Sequence, residues 1–215
     1  SPNLFSQILE QVLEKIFIPE QICLLQYLDD ILISGEDIEK VAGFSTHILN
    51  HLQFEGLWVS KGKLQYVEPE VKYLGHLISA GKWRIGPERV EGIVSLPLPQ
   101  TKQELRKFLG LVTYCHLRID SYALHSKLLY QKLAQKKPNH LLWISEEADQ
   151  VEKLKKRLIT APVLALPSLE KPFHLFVNVD SGVALGVLTQ EHRCHRQPVA
   201  FLSKVLDPVT CGWPQ

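Results

Sequence analysis

Apolar residues recur at Leu4, Phe5, Ile8, Leu9 and Val12, a helical spacing that predicts an amphipathic helix ending before Pro19. The runs Ile22-Cys23-Leu24-Leu25 and Ile31-Leu32-Ile33 are short and strand-like, and Gln26-Tyr27-Leu28-Asp29-Asp30 between them suits a tight turn, so residues 22–33 predict a β-hairpin. Ile38, Val41, Ile48, Leu49 and Leu52 mark a second helix closing near Gly56. Tyr73-Leu74-Gly75-His76-Leu77-Ile78 reads as a strand that turns at Ala80-Gly81 into Trp83-Arg84-Ile85.

The pattern then changes at Leu96-Pro97-Leu98-Pro99, a stiff segment that reads as a module boundary. Thr101 followed by Glu104 is a capping box, and Leu105, Phe108, Leu109 and Val112 form the stripe of the helix it starts. A second helix is expected over residues 122–134. A third follows Ser145, with Ala148, Val151, Leu154 and Leu158 inward and Lys153, Lys156 and Arg157 largely outward. Beyond Pro162 and Pro167, residues 173–179, 185–190 and 199–203 read as strands, and the chain stops at Gly212-Trp213-Pro214-Gln215, too early for a complete α/β domain. The expected class is α+β in three parts: hairpins plus helices over 1–95, a helical bundle over 96–165, and a truncated sheet module over 166–215.

Composition narrows the function classes. Apolar residues at 45% and charged residues at 22% are ordinary for a globular chain. No apolar run approaches the roughly 20 residues of a membrane helix, and Ser1-Pro2-Asn3 lacks a signal peptide's basic flank. With no methionine among its 215 residues, the chain reads as a fragment of a longer protein. Cys23, Cys115, Cys194 and Cys211 are scattered as reduced thiols would be. His192-Arg193-Cys194-His195 fits no standard zinc spacing and reads as a polar loop.

Charge is uneven beneath a net of +1. Through residue 92, eight basic side chains face thirteen acidic ones; from 93 to 165, twelve basic face six acidic. A region that could hold cations therefore precedes one that could meet phosphates, although a solvated helical surface would give the same basic excess. Asp29-Asp30 carries the same ambiguity. Aspartates favour turns because they bond nearby amides, yet paired carboxylates also suit hard divalent cations.

Leu24-Leu25-Gln26-Tyr27-Leu28-Asp29-Asp30-Ile31-Leu32-Ile33 resembles the Tyr-x-Asp-Asp hairpin of retroviral reverse transcriptases, of gammaretroviral or endogenous-retroviral flavour. Ser1-Pro2-Asn3-Leu4-Phe5 resembles the helix before that hairpin, residues 56–63 the next motif, and residues 71–78 the primer-holding hairpin. Gln103-Glu104-Leu105-Arg106-Lys107-Phe108-Leu109-Gly110 resembles the first thumb helix. Residues 158–164 and Lys171-Pro172-Phe173 resemble the passage into the connection, and residues 186–190 and 198–204 continue the likeness nearly to the end.

The resemblance implies a partial polymerase palm over 1–95, a thumb over 96–165 and the start of an RNase H-like connection over 166–215. It implies primer extension on an RNA or DNA template from deoxynucleoside triphosphates, with Mg2+ or Mn2+, in the cytoplasm or virion. Asp29 would be a metal ligand, Asp30 a second carboxylate beside it, and Lys63 an acid near the leaving pyrophosphate. Tyr27 and Leu28 would lie beneath the primer end and incoming nucleotide. Tyr73, Gly75, His76, Gly81, Lys82 and Trp83 would form the primer grip, with simple cross-hairpin packing an equal account of Trp83. Arg106, Lys107, Lys153, Lys156 and Arg157 would approach the template–primer backbone.

The likeness also fails in places. The family's third carboxylate belongs on a strand before the hairpin, and residues 1–28 contain no aspartate. The resemblance therefore implies fingers and palm segments upstream, an RNase H domain downstream, and an isolated chain too incomplete to polymerise. Asn178 stands where relatives often carry an acid, and Asp180 reads as a turn residue rather than a nuclease ligand. A non-catalytic remnant that binds nucleic acid or a protein partner is the competing expectation.

Overall fold

The computed structural model describes residues 2–135, 139–192, 195–207 and 210. The chain divides into two compact units, residues 1–80 and 81–215.

In the first unit, α1 (Pro2–Leu13) and α2 (Ile38–Phe54) pack on a two-stranded sheet of β1 (Ile22–Tyr27) and β2 (Asp30–Gly35). Alternation along β1 decides the faces. Ile22 and Leu24 point to the core with Leu9, Val12, Leu13, Ile16, Phe44, Ile48 and Leu52, while Cys23, Leu25 and Tyr27 are exposed. Asp37 caps α2 by accepting the Glu39 and Lys40 amides. Gly56, at φ 79, ends the helix, and the Leu57 amide returns to the Leu52 carbonyl. Gly35 is required by closeness, since a Cβ there would lie 2.9 Å from the Gln21 carbonyl oxygen.

Residues 73–78 correct the expected strand. Leu74 (φ 49) and Gly75 (φ 76) form a tight turn, so the segment folds back on itself as β3 (Val71–Tyr73) and β4 (His76–Ser79), with Tyr73 opposite His76. The physical reason is Gly75, which takes positive φ without strain and breaks an otherwise continuous apolar pattern. The preceding loop is tied down by Gln65, whose side chain bonds both backbone groups of Lys72, and by Tyr66, whose hydroxyl donates to the Ala42 carbonyl.

The second unit contains β5 (Lys82–Ile85), α3 (Pro87–Val94), α4 (Lys102–Tyr114), a 3-10 turn (His116–Arg118), α5 (Tyr122–Ala134), α6 (Ser145–Ile159) and β6 (Leu164–Ala165), then the antiparallel sheet of β7 (His174–Asp180), β8 (Val183–His192) and β9 (His195–Val205). The expected stripes are buried: Leu105, Phe108, Leu109 and Val112 meet Val151, Leu154 and Leu158 in one core. That core also takes in Ile85 and Ile93, so the bundle begins earlier than its proline-rich marker suggests.

The segment at Leu96–Pro99 is fastened to the bundle rather than spanning solvent. Lys155, buried on α6, donates to the Leu96 carbonyl at 2.6 Å, and the Trp143 indole donates to the Pro99 carbonyl at 2.6 Å. The sheet is held by Gln190, fully buried, which bonds Ser168 and Lys171, and the α5 amide of Ala123 donates to Ser203 Oγ on β9. His192 and His195 form the last pair of β8 and β9, while Arg193, Cys194, Cys211 and the tail 212–215 lie outside the described residues.

Candidate metal and nucleic-acid site

The acidic pair sits where the sequence expects it. Tyr27 pairs with Asp30 as the last rung of the hairpin, leaving Leu28 and Asp29 as the turn. Leu28 has φ 55, a conformation that costs a non-glycine residue roughly 1–2 kcal/mol. Such strain survives only where surroundings impose it. Gln26 imposes it here: its Nε2 donates to the Leu28 carbonyl at 3.1 Å and to the Ser6 carbonyl of α1 at 3.1 Å. Sequence reasoning missed Gln26. It follows Ile22 and Leu24 in the core-facing register, and a polar side chain there must find partners.

The Asp29 and Asp30 carboxylates are exposed and form no hydrogen bond or ion pair among the described residues. Their oxygens are therefore available as ligands. Tyr27 and Leu28 stand beside them, 56% and 43% exposed. Tyr73, at the end of β3, is brought near: burial, then the Asp30 carboxylate, pushes its phenol above the ordinary range. Lys63 is not brought to the pair by any contact. It lies in an exposed turn, its amide donating to the Ser60 carbonyl. Among the described residues no group of three His, Cys, Asp or Glu side chains could enclose a metal.

The expected grip residues divide between the units. Tyr73, Gly75 and His76 belong to the first, Gly81, Lys82 and Trp83 to the second. Gly81 (φ 72) accepts the Leu166 amide at 2.8 Å, exposed Lys82 pairs with Ala165, and Trp83 pairs with Leu164. Trp83 also packs against a residue the sequence did not single out. The Arg118 guanidinium lies 4.8 Å from its ring centroid and donates to its carbonyl at 2.7 Å. No periodicity announces a contact between residues so far apart in the chain.

The basic positions differ among themselves. Arg106 and Lys107 on α4 and Lys153 and Lys156 on α6 are exposed, on sides of their helices away from the shared core. Arg157 is engaged, 3.6 Å from the Asp120 carboxylate and within 3.4 Å of its carbonyl. Asp180 ends β7 and accepts the Ser181 hydroxyl at 2.8 Å, a local turn contact.

Comparison with known proteins supplies the lineage. A family described as reverse transcriptase (RNA-dependent DNA polymerase) matches residues 1–78, and an RNase H-like domain found in reverse transcriptase matches residues 143–215. The whole chain aligns at 39% identity with the Gag-Pol polyprotein of gibbon ape leukemia virus, at 38% with the Pol polyprotein of feline endogenous virus ECE1, and over 217 aligned positions at 40% with the Gag-Pol polyprotein of avian reticuloendotheliosis virus. It belongs to the retroviral reverse transcriptase family. The chain spans 13%, 20% and 19% of the length of those relatives, so it corresponds to a part of such polyproteins. Its fold matches a foamy viral protease-reverse transcriptase solved with double-stranded DNA (TM-score 0.86, 23% identity, 96% of this chain and 35% of that one). It also matches the same kind of protein solved with an RNA/DNA hybrid (TM-score 0.82, 24% identity, 96% and 27%). The chain is thus α+β, with residues 1–78 matching the reverse transcriptase family and residues 143–215 the RNase H-like one.

Proposed function

We propose that this Pol segment supplies half of a nucleotidyl-transfer centre and part of a duplex-binding surface, within a protein that extends a primer 3′-hydroxyl on an RNA or DNA template. The observation that carries the reading is the hairpin tip, where two unpaired carboxylates project from a strained, pinned turn. In this reading residues 1–95 serve as palm, 96–165 as thumb and 166–215 as connection, although the compact units meet at residue 80.

The donor set fits a hard divalent cation in part. Asp29 and Asp30 would offer carboxylate oxygens to Mg2+ or Mn2+, which when bound would stabilise charge on the attacking and leaving oxygens. The chain's own residues orient that site: Gln26 fixes the turn, and the exposed Tyr27 and Leu28 would lie beneath the primer end and the incoming nucleotide. Tyr73, Gly75, His76, Gly81, Lys82 and Trp83 would hold the primer, and Lys63 would protonate the departing pyrophosphate. Arg106, Lys107, Lys153 and Lys156 would position the duplex through its phosphates without reading sequence. Arg157 would join them only by leaving Asp120.

With two carboxylates and no third, the 215-residue chain is expected to polymerise negligibly. Upstream palm and fingers would complete the centre, and an RNase H domain would follow downstream. Among the described residues no helix is long and apolar enough to cross a membrane. Action in the cytoplasm or virion belongs to this proposal.

A chimaera in which this chain replaces the matching stretch of the gibbon ape leukemia virus polymerase tests the reading. Asp29→Asn should lower primer extension at least a thousandfold, about 4 kcal/mol at tenfold per 1.36 kcal/mol. Undiminished extension by Asp29→Asn would end the proposal. A second reading, a non-catalytic nucleic-acid-binding remnant, is favoured by the exposed basic helix faces. It predicts salt-sensitive duplex binding that survives removal of both aspartates.

A further inference from the structure

A cavity of about 430 Å³ opens in the second unit, among β5, α3, the 3-10 turn, α6 and the segment leading to β6. Ile85, Val90, Val94, Leu158 and Val163 give it an aliphatic wall. Its size lies in the range of small-molecule sites. Three charged side chains line it: Arg84, Glu91 and Arg118. Arg84 and Glu91 are exposed, whereas Arg118 is only 2% exposed.

Arg118 is the unusual member. Its guanidinium carries five N–H groups. One donates to the Trp83 carbonyl and another to the Pro162 carbonyl, while the Nε–H has no acceptor among the described residues. Among the described residues no carboxylate forms a salt bridge with it. Burial accordingly pulls its pKa down to about 10. Carbonyl dipoles and the Trp83 ring soften the field of this cation but do not neutralise it, and an uncompensated buried charge is costly. Arg118 therefore lends the cavity a buried positive charge, with the Glu91 carboxylate elsewhere on the lining. The balance favours a monoanion over a dianion, which Glu91 would repel.

We infer that this cavity binds a small organic monoanion, a carboxylate with an aliphatic body, whose charged end meets Arg118 and whose body lies along the Val90–Val163 side. The inference does not rest on the acidic hairpin, although Trp83, on which Arg118 packs, is also a residue of the proposed primer grip. It also ties ligand binding to Trp83 through the guanidinium the two share.

Titration calorimetry on the 215-residue chain, with octanoate and octan-1-ol as probes, decides it. Octanoate should bind at least tenfold more tightly than the alcohol, a difference of about 1.4 kcal/mol. Arg118→Met, which keeps the stem length, should shrink that preference below twofold. Ala161→Phe, which fills the cavity and leaves Arg118 in place, should weaken both probes. In NMR titrations the Trp83 indole signal should shift with octanoate, while that of Trp143, bonded to Pro99 in the bundle core, should stay put. Should Arg118→Met fail to fold, the preference of the unaltered chain and its Trp83 response decide the matter. Equal binding of acid and alcohol, no heat with millimolar octanoate, or a preference that persists in folded Arg118→Met overturns the inference.

Discussion

Replacing Lys132 with methionine should cost far more than an ordinary surface substitution. Lys132 lies on α5, its side chain 7% exposed, and its ammonium meets the Glu147 carboxylate of α6, itself 13% exposed. The same ammonium donates to the Leu142 carbonyl at 2.5 Å and stands 5.0 Å from the Trp143 ring centroid. Glu147 has a further duty, accepting the Ile144 amide at 3.2 Å. This is one half of a capping box, which Ile144, lacking a side-chain oxygen, cannot complete. Methionine would keep the bulk but strand Glu147 without its cation. Breaking a buried pair from one side costs about 3–5 kcal/mol, and low exposure of both partners leaves little solvent screening to discount it. Adding Glu147→Gln removes the stranded charge while keeping an acceptor for Ile144, and should recover about 2 kcal/mol, within the range of direct couplings. Urea unfolding of the four proteins of this cycle, at equal m values, gives the coupling. A single-variant loss below about 1 kcal/mol, or a double variant no more stable than Lys132→Met, would refute the argument. The pair sets α6 against α5, and with it Lys153 and Lys156, which the proposed function places at the duplex backbone.

Further outcomes follow from individual groups. Burial, reinforced by the Arg157 charge, holds His125 below its ordinary pKa. The unfolded chain therefore takes up the proton first as pH falls through about 6.5, and folded stability declines until the pH passes the lowered native value. His125→Gln should flatten the fall in melting temperature between roughly pH 7 and pH 5, and an unchanged slope would count against it. Thr101 caps α4 by accepting the Glu104 amide at 3.2 Å, so Thr101→Ala should cost about 1 kcal/mol by urea unfolding; a neutral result would deny the cap. Burial raises the Cys115 thiol pKa, whereas Cys23 is exposed on the open face of the hairpin. Peptide mapping after brief treatment with iodoacetamide should find Cys23 alkylated well before Cys115, and the reverse order would mean the helical core opens more readily than its packing indicates.

Sequence alone revealed the elements whose signals are local. The α4 stripe, its Thr101 cap and the hairpin that carries Asp29 and Asp30 all appear where spacing placed them, because each depends on residues within a few positions of one another. Residues 73–78 looked like one strand, since apolar content outweighed the single turn signal of Gly75. Helix α3 escaped notice: it is short, contains Gly92, and gains its stability from burying Ile93 in a core built mostly of later residues. Lys155 belongs to a run of basic residues that reads as solvated, yet it is buried against Leu96 by a contact spanning 59 positions. Arg118 was hidden for the same reason. Its partners, Trp83 and Pro162, lie 35 and 44 residues away, and no local pattern encodes them.

Metal-ion rescue asks most directly whether the hairpin tip binds catalytic cations. In the chimaeric polymerase, Asp29→Cys would exchange a hard oxygen ligand for a soft sulfur one. Primer extension by this variant should be lost in Mg2+ and return in substantial part when Cd2+ is added, with the unaltered enzyme showing no such gain. Full activity of Asp29→Cys in Mg2+ alone would mean that Asp29 holds no metal, and the account of the site would be wrong.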